Sequence, residues 1–370
     1  MVIRPVVTRR DRRQFIALPY RLHSGVPQWV PPLRREVRRM FSHSNPFYEH
    51  SAAACFLAEE DGEVVGRIAV LDNTIYNRVR ERRWAFFHLF EATTEIAAVE
   101  LLDAASAWAR ERGLERLVGP MGTMPGEAMG FLVTGFDERA SMSVPWTPPE
   151  YAAMVEAAGF GKEADFRSGR VARAFDVPDA LFQVADAAVA EHGFEVATFD
   201  SRRHLLRSTD AVGEVYNFSF RDNWEYRPVT PSEMREVAMR FLPIADPSII
   251  IVLRKAERLV GFLFILPEVR DGLIRARGRL FPTGWWHILR AKRTTTSVII
   301  HGMGVIPEFQ GAGANAAIYA RVVRSAARRR YVSAEVEQID EANTRMNRNL
   351  EMFGVDWTRT HRVYGRSLTH

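Results

Sequence analysis

The sequence predicts a mixed α/β fold, with largely antiparallel sheets and flanking helices, occurring twice in tandem. One hairpin-like stretch, "CFLAEEDGEVVGRIAVL" (55–71), is answered by a second, "SIIIVLRKAERLVGFLFIL" (248–266), with Val65-Gly66 matched by Val260-Gly261. Downstream, "YAAMVEAAGF" and "RNLEMFGV" read as helix ends closed by Gly159 and Gly354, and the interval from hairpin glycine to closing glycine is the same in both halves. At 370 residues the chain also exceeds one ordinary core, so about two domains of ~100–200 residues each are expected.

The elements follow in order. The first hairpin joins two apolar runs through Asp61-Gly62, a dipeptide whose backbone twist suits paired strands. "TTEIAAVELLDAASAWARERG" is helical, with Ile96, Val99, Leu102, Ala105 and Trp108 on one apolar stripe and an Arg-Gly ending. An apolar strand, "LERLVGP", comes next. In the second half "NAAIYARVVRSAARRRY" and "VSAEVEQI" take the same two places. Each unit reads hairpin, strand, helix, strand, helix, strand. This places one unit at 1–175, a connecting segment at 176–208 and the second unit at 209–370.

Composition narrows the function. Hydrophobic residues at 47% and charged residues at 26% are those of a globular protein rather than a disordered or fibrous one. The net charge is +5, and Lys162, Lys255 and Lys292 are the only lysines, so the basic balance is carried by arginine. Anionic partners fit that balance. Cys55 stands alone in an apolar stretch, so no disulfide framework is expected, and the scattered Cys and His residues give no metal-ligand spacing. No apolar run reaches the ~20 residues that span a bilayer, and the charged N-terminus lacks the apolar core of a signal peptide. A cytoplasmic protein is expected, free or attached to the inner face of the membrane.

The stretch "VIPEFQGAGANAAIYARVV" (305–323) places small residues between a strand-like and a helix-like run. Bare backbone N–H groups at a helix start suit a phosphate. A Walker loop would need a Lys after the glycines, and a dinucleotide fold would place the motif after its first parallel strand.

The second unit resembles the GNAT (Gcn5-related) acyltransferases. Gln310 and Gly313 fit the family's phosphate-binding signature, with Asn315 at its last position, and "VIPEF" matches the usual lead-in. Asn343 and Gly354 hold the family's Asn-to-Gly spacing. The resemblance is close over 210–370 and holds in outline over 1–165. It implies an acyl-coenzyme A co-substrate without a metal: Met303, Gly304 and Val305 would pair with the pantetheine arm, Gln310, Gly311, Ala312, Gly313, Ala314 and Asn315 would hold the pyrophosphate, and Asn343 would lie on the other side. It also implies that the strand before the loop splays from its neighbour.

In the first unit "WAFFHLFEATTEIAAVE" stands where the phosphate loop would be. Glu91 and Glu95, near a helix start, would repel a pyrophosphate, and Pro148 answers Asn343. This copy is expected to have lost its coenzyme A site, as in tandem GNAT proteins with one degenerate copy. Its glycine-rich segment 119–138 is long for a loop and carries Glu127, either a solvated carboxylate or one that binds an amine.

Acyl transfer to an amine needs a base, oxyanion donors and an acid for the thiolate. The family commonly has a Tyr where this chain has Leu350, so His301 and Glu337 are the candidate catalytic residues, with Tyr319 and Tyr364 as further acids. Against that, a His in an apolar strand can be structural, and Glu337 can share a solvated strand face with Glu335. Trp285 and Trp286, among Arg279, Arg290, Lys292 and Arg293, suit a helix on anionic lipid or a substrate-binding lid over an acyl or pantetheine channel, against the plainer reading of a core-facing helix with exposed arginines. The expected function is an acyl-CoA-dependent N-acyltransferase acting on an amine, with a lipid or other membrane-associated amine as one option. The alternatives are a non-catalytic acyl-CoA sensor and a tRNA-dependent aminoacyl transferase; the "QGAGAN" loop argues against the last and against a nucleic-acid partner.

Overall fold

The computed structural model describes residues 1–369 except 125, 174–176, 225, 327 and 328. The boundary expected at 175–176 therefore lies outside the described residues. The strands are β1 (Val2–Pro5), β2 (Ala52–Glu60), β3 (Glu63–Asp72), β4 (Trp84–Ala92), β5 (Arg116–Gly119), β6 (Phe131–Thr134) and β7 (Gly161–Val171) in the first half. In the second they are β8 (Phe194–Thr198), β9 (Ile251–Lys255), β10 (Arg258–Pro267), β11 (Ser297–Val305), β12 (Ser333–Asp340) and β13 (Asp356–Ser367).

Both hairpins form. Asp61 and Gly62 take the positive φ angles that a tight two-residue turn demands, and Ala256 does so in the second copy. The described strands join in one sheet, ordered β1-β2-β3-β4-β5-β13-β7-β12-β11-β10-β9-β8, with β6 on the side against β13. The closing strands are exchanged. β13 pairs with β5 of the first half from Tyr364–Gly119 to Ser367–Arg116, and β7 pairs with β12 of the second half. The two exchanged strands also run antiparallel to each other over nearly their full length.

The helix Glu95–Arg110 forms as expected, but its buried face differs from the stripe read in the sequence. Ile96 is 64% exposed, while Ala97, Ala98, Leu101, Leu102, Ala105 and Ala109 are buried. A strict spacing of three drifts by about 60° per step on a helix of 3.6 residues per turn, so it cannot hold one face. Glycine-rich segment 119–138 is also not all loop. Its residues 131–134 form β6, which pairs with β13 from Phe131–Arg362 to Thr134–Thr360. Between β10 and β11 the chain inserts two helices, Arg270–Ala276 and Gly284–Thr294, of which the second was expected from Pro282-Thr283-Gly284. Three more, Arg202–Arg207, Thr209–Ser219 and Pro231–Phe241, lie between β8 and β9, and side chains of the last two pack on the core beneath β9–β11.

Candidate active site

The parallel pairing of β11 with β12 runs from Ser297–Ser333 to Ile300–Val336 and stops there. Beyond it β11 stays on β10, Met303 opposite Leu263 and Gly304 opposite Phe262, while β12 stays on β7. The expected splay is therefore present, and the next residue on each strand is His301 or Glu337. Both occupy breaks in register: β11 carries one extra residue between Ile300 and Gly302, and β12 carries one between Val336 and Ile339. Such bulges re-aim side chains. Here they bring His301 Nδ1 within 2.6 Å of Glu337 Oε2, both side chains nearly buried. The simple alternation that put Glu335 and Glu337 on a solvated face fails for this reason. Glu335 is also buried, bonded to Arg270 and Arg359. Burial would raise its pKa, but those two guanidiniums hold it below the usual carboxylate range.

The rings of Phe241 and Phe264 pack edge-on to His301 at 4.9 and 5.8 Å. Over its Nε2 lies Gly126, from the glycine-rich segment of the first half: a Cβ there would sit 2.9 Å from Nε2. That segment is clamped from the second half. Gln338 exchanges hydrogen bonds with the backbone of Met129. Arg227, itself paired with buried Glu233, donates to the carbonyl of Thr123 at 2.8 Å. Arg240, on the helix Pro231–Phe241, meets Glu127 at 3.1 Å, and the N–H groups of Thr123 and Met124 donate to the same carboxylate. Burial would raise the Glu127 pKa, but Arg240, His88 and those N–H groups outweigh it and hold the carboxylate ionised.

Two cavities meet at this point. The first, about 280 Å³, is lined by His301, Gly302, Glu337, Asn343, Tyr319 and Leu350. It extends into an apolar chamber of Phe199, Leu205, Val212, Val252, Phe262 and Phe264 under the helices between β8 and β9. The second, about 510 Å³, lies toward the first half. Thr123, Gly126, Glu127 and Ser143 line both. Burial pushes the Tyr319 hydroxyl up to about 12. Tyr364 is elsewhere, buried in the core of the first half with its hydroxyl on Glu156.

The helix Ala314–Ala326 begins at the phosphate-type loop as the sequence predicts. Gln310 folds back to donate to the carbonyl of Val305 at 3.0 Å. Gly311 has φ +87° and open space at its Cβ position. Gly313 is different: a Cβ there would meet Ala188, 2.5 Å away on the helix Asp179–His192, so helix packing by itself demands a glycine. Ala312 and Asn315 lie in the same turn and first helical residues, and Asn343 caps the helix Thr344–Met352 through Met346 N–H. Trp285 and Trp286 line neither cavity. They are 47% and 46% exposed.

The first half has a different interior. Glu91 does not face the helix start. Its side chain turns inward from β4, where it accepts from Tyr151 at 2.6 Å and meets His23 at 2.8 Å and Arg67 at 3.2 Å. Only Glu95 stands in the first helical turn. The contacts that join the two halves at the site link residues more than 100 positions apart, so no local signal could have singled out Arg227, Arg240 or Gln338.

No family model matches the chain. Its fold is similar to that of a tandem GNAT protein from the clavulanic acid biosynthesis pathway (TM-score 0.54, 13% identity, 100% of this chain and 99% of that one). It is similar also to a GCN5-related N-acetyltransferase from Sphaerobacter thermophilus (TM-score 0.52, 14% identity, 100% and 96%). The chain thus has the tandem GNAT acyltransferase fold. Among curated proteins it is similar to a bacterial ceramide synthase of Caulobacter vibrioides, 28% identical over 373 residues covering 98% of this chain and 97% of that protein. It is similar also to protein YghO of Escherichia coli, 25% identical over 378 residues covering 99% and 95%.

Proposed function

We propose that the protein is an N-acyltransferase that moves a long acyl chain from a coenzyme A thioester to an amine. The observation that carries the reading is the His301–Glu337 pair at the parting of β11 and β12, with an apolar chamber on one side and a second cavity on the other. The GNAT fold implies a coenzyme A co-substrate, and the name of the Caulobacter relative points to an amide-forming reaction on a lipid. The chamber is walled by aromatic and aliphatic side chains and suits an acyl tail. Backbone of Met303–Val305 and the 310–315 turn would hold the pantetheine and pyrophosphate.

The Glu337 carboxylate accepts the Nδ1–H of His301, which leaves the Nε2 lone pair as a base beside Gly126. The amine nitrogen attacks the thioester carbonyl carbon, Nε2 takes the amine proton, and the carbon–sulfur bond breaks. Tyr319 lines the same cavity and would pass its proton to the departing thiolate while regaining one from the His301 imidazolium. It would fill the role left open by Leu350.

The exposed face of the helix Gly284–Thr294 supports peripheral contact with an anionic membrane. Phe281 is 78% exposed beside Trp285, Trp286 and Leu289, and the helix has no acidic residue.

Calorimetric titration with acetyl-CoA and palmitoyl-CoA, beside a Val212→Trp variant that fills the chamber, tests the reading. Tighter binding of the palmitoyl thioester, lost in the variant, is expected. Failure to bind either thioester would overturn it.

A further inference from the structure

Most polar side chains around the His301 site are already bonded within the protein. The Thr123 hydroxyl and the N–H groups of Thr123 and Met124 are on Glu127, Gln338 is on Met129, and Arg227 and Arg240 are paired with carboxylates. Two buried atoms of residues lining the first cavity have no hydrogen-bond partner among the described residues. They are Glu337 Oε1, which as a carboxylate only accepts, and the Ser143 hydroxyl, which can donate. A buried polar atom left unpaired is costly, and at a reaction site it is accounted for by a group that arrives from outside.

Ser143 and Gly126 both line the junction of the two cavities, and Gly126 stands over His301 Nε2. The backbone on either side of Ser143 is held in place. Ala140 N–H donates to the Gln28 carbonyl, Met142 N–H to buried Glu268 at 3.3 Å, and Val144 N–H to the Ser141 hydroxyl at 3.1 Å. The Pro145 carbonyl accepts from buried His361 at 2.9 Å. A donor fixed in advance costs no reorganisation at the moment negative charge develops.

Acyl transfer needs an oxyanion donor as well as a base and an acid. Ser143 Oγ makes no hydrogen bond to His301 Nε2, so the base does not activate it as a nucleophile. We infer that Ser143, contributed by the first half, is the oxyanion donor of the reaction. The inference rests on the acyltransfer reading and deepens it by one catalytic residue. As the amine nitrogen bonds to the thioester carbonyl carbon, the π pair moves to the carbonyl oxygen, and that O⁻ accepts from the Ser143 Oγ–H. His301 Nε2 takes the amine proton. When the oxygen pair reforms the carbonyl, the carbon–sulfur bond breaks and the thiolate takes the Tyr319 proton. Ser143 keeps its own proton throughout. The copy without a phosphate-binding turn thereby supplies a group that touches the reacting atoms.

The test measures release of coenzyme A from palmitoyl-CoA by the full chain, with butylamine or water as the nucleophile, since attack by either builds the same oxyanion. Ser143→Ala is expected to lower kcat about 10²- to 10³-fold, the usual effect of losing one oxyanion donor. Its palmitoyl-CoA affinity and its urea unfolding curve should match those of the parent chain. A loss of kcat smaller than tenfold would overturn the assignment. So would palmitate esterified to Ser143 in the intact mass spectrum, which would make the residue a nucleophile. A parent chain that binds palmitoyl-CoA but releases no coenzyme A would remove the acyltransfer reading, and this assignment with it.

Discussion

His301 and Glu337 are adjacent because each is the first residue beyond the last paired position of β11 and β12, and each lies at a break in strand register. The pair is thus fixed by backbone geometry on two strands of the sheet. His301→Gln should lower kcat by about 10²- to 10⁴-fold, the usual contribution of a general base, with palmitoyl-CoA affinity unchanged. Glu337→Gln should lower it by a smaller factor and move the acidic limb of the pH–rate profile, a change that a purely structural role would not produce. An unaltered profile in the second variant would remove Glu337 from the mechanism.

Gly126 has no room for a side chain. Its φ is +75°, and a Cβ would press on His301 Nε2 at 2.9 Å. Gly126→Ala should reduce turnover at least tenfold while costing about 1 kcal/mol of stability from the left-handed backbone. Turnover kinetics beside urea unfolding separate the two effects, and a variant with normal kcat would mean that the segment does not cover the base.

Two buried groups make opposing pH signatures. His361 is fully buried, with Nε2 on the Pro145 carbonyl, and burial pushes its pKa down to about 4. The unfolded chain, near 6.5, binds more protons between those values, so this term loses stability as pH falls from about 6.5 to 4. Glu268 is pushed up to about 7 by burial. Here the folded state holds the extra proton, so stability falls as pH rises from about 4.5 to 7. Urea unfolding at about pH 5 and pH 7.5 should show the stability difference (pH 7.5 minus pH 5) shrinking in His361→Gln by roughly 2 kcal/mol. In Glu268→Gln it should grow by roughly 3 kcal/mol, at 1.36 kcal/mol per pKa unit. Shifts of the same sign would contradict the assignment.

The aromatic face should bind membranes. Replacing Phe281, Trp285 and Trp286 by Ser should weaken co-sedimentation with phosphatidylglycerol vesicles at least tenfold, since each large apolar side chain contributes up to about 1.5–3 kcal/mol when buried. Retained binding in the triple variant would assign that face another role.

Much of this was readable in the chain. Asp61-Gly62 gave a hairpin because the dipeptide accepts the backbone angles its turn needs, and the glycine spacing exposed the repeat. The small residues before Ala314 marked a helix start. His301 and Glu337 were readable as titratable residues beside the loop, but their contact was not, because two bulges break the alternation on which strand reasoning depends. The stripe at Ile96 failed through drift, and Glu91 turned inward because its partners, His23, Arg67 and Tyr151, come from other elements.

The sequence by itself determined the main elements, their duplication and the small-residue turn before Ala314, since turns, helix periodicity and bare backbone are local properties. Tertiary structure decided the exchange of β7 and β13, the cover that the first half places over His301, and the meeting of two cavities at Gly126. Those rest on pairings such as Tyr364 with Gly119 and Arg227 with Thr123. The free energy of such pairings comes from burial and from satisfying backbone and charged groups across the fold, and no window along the chain contains both partners.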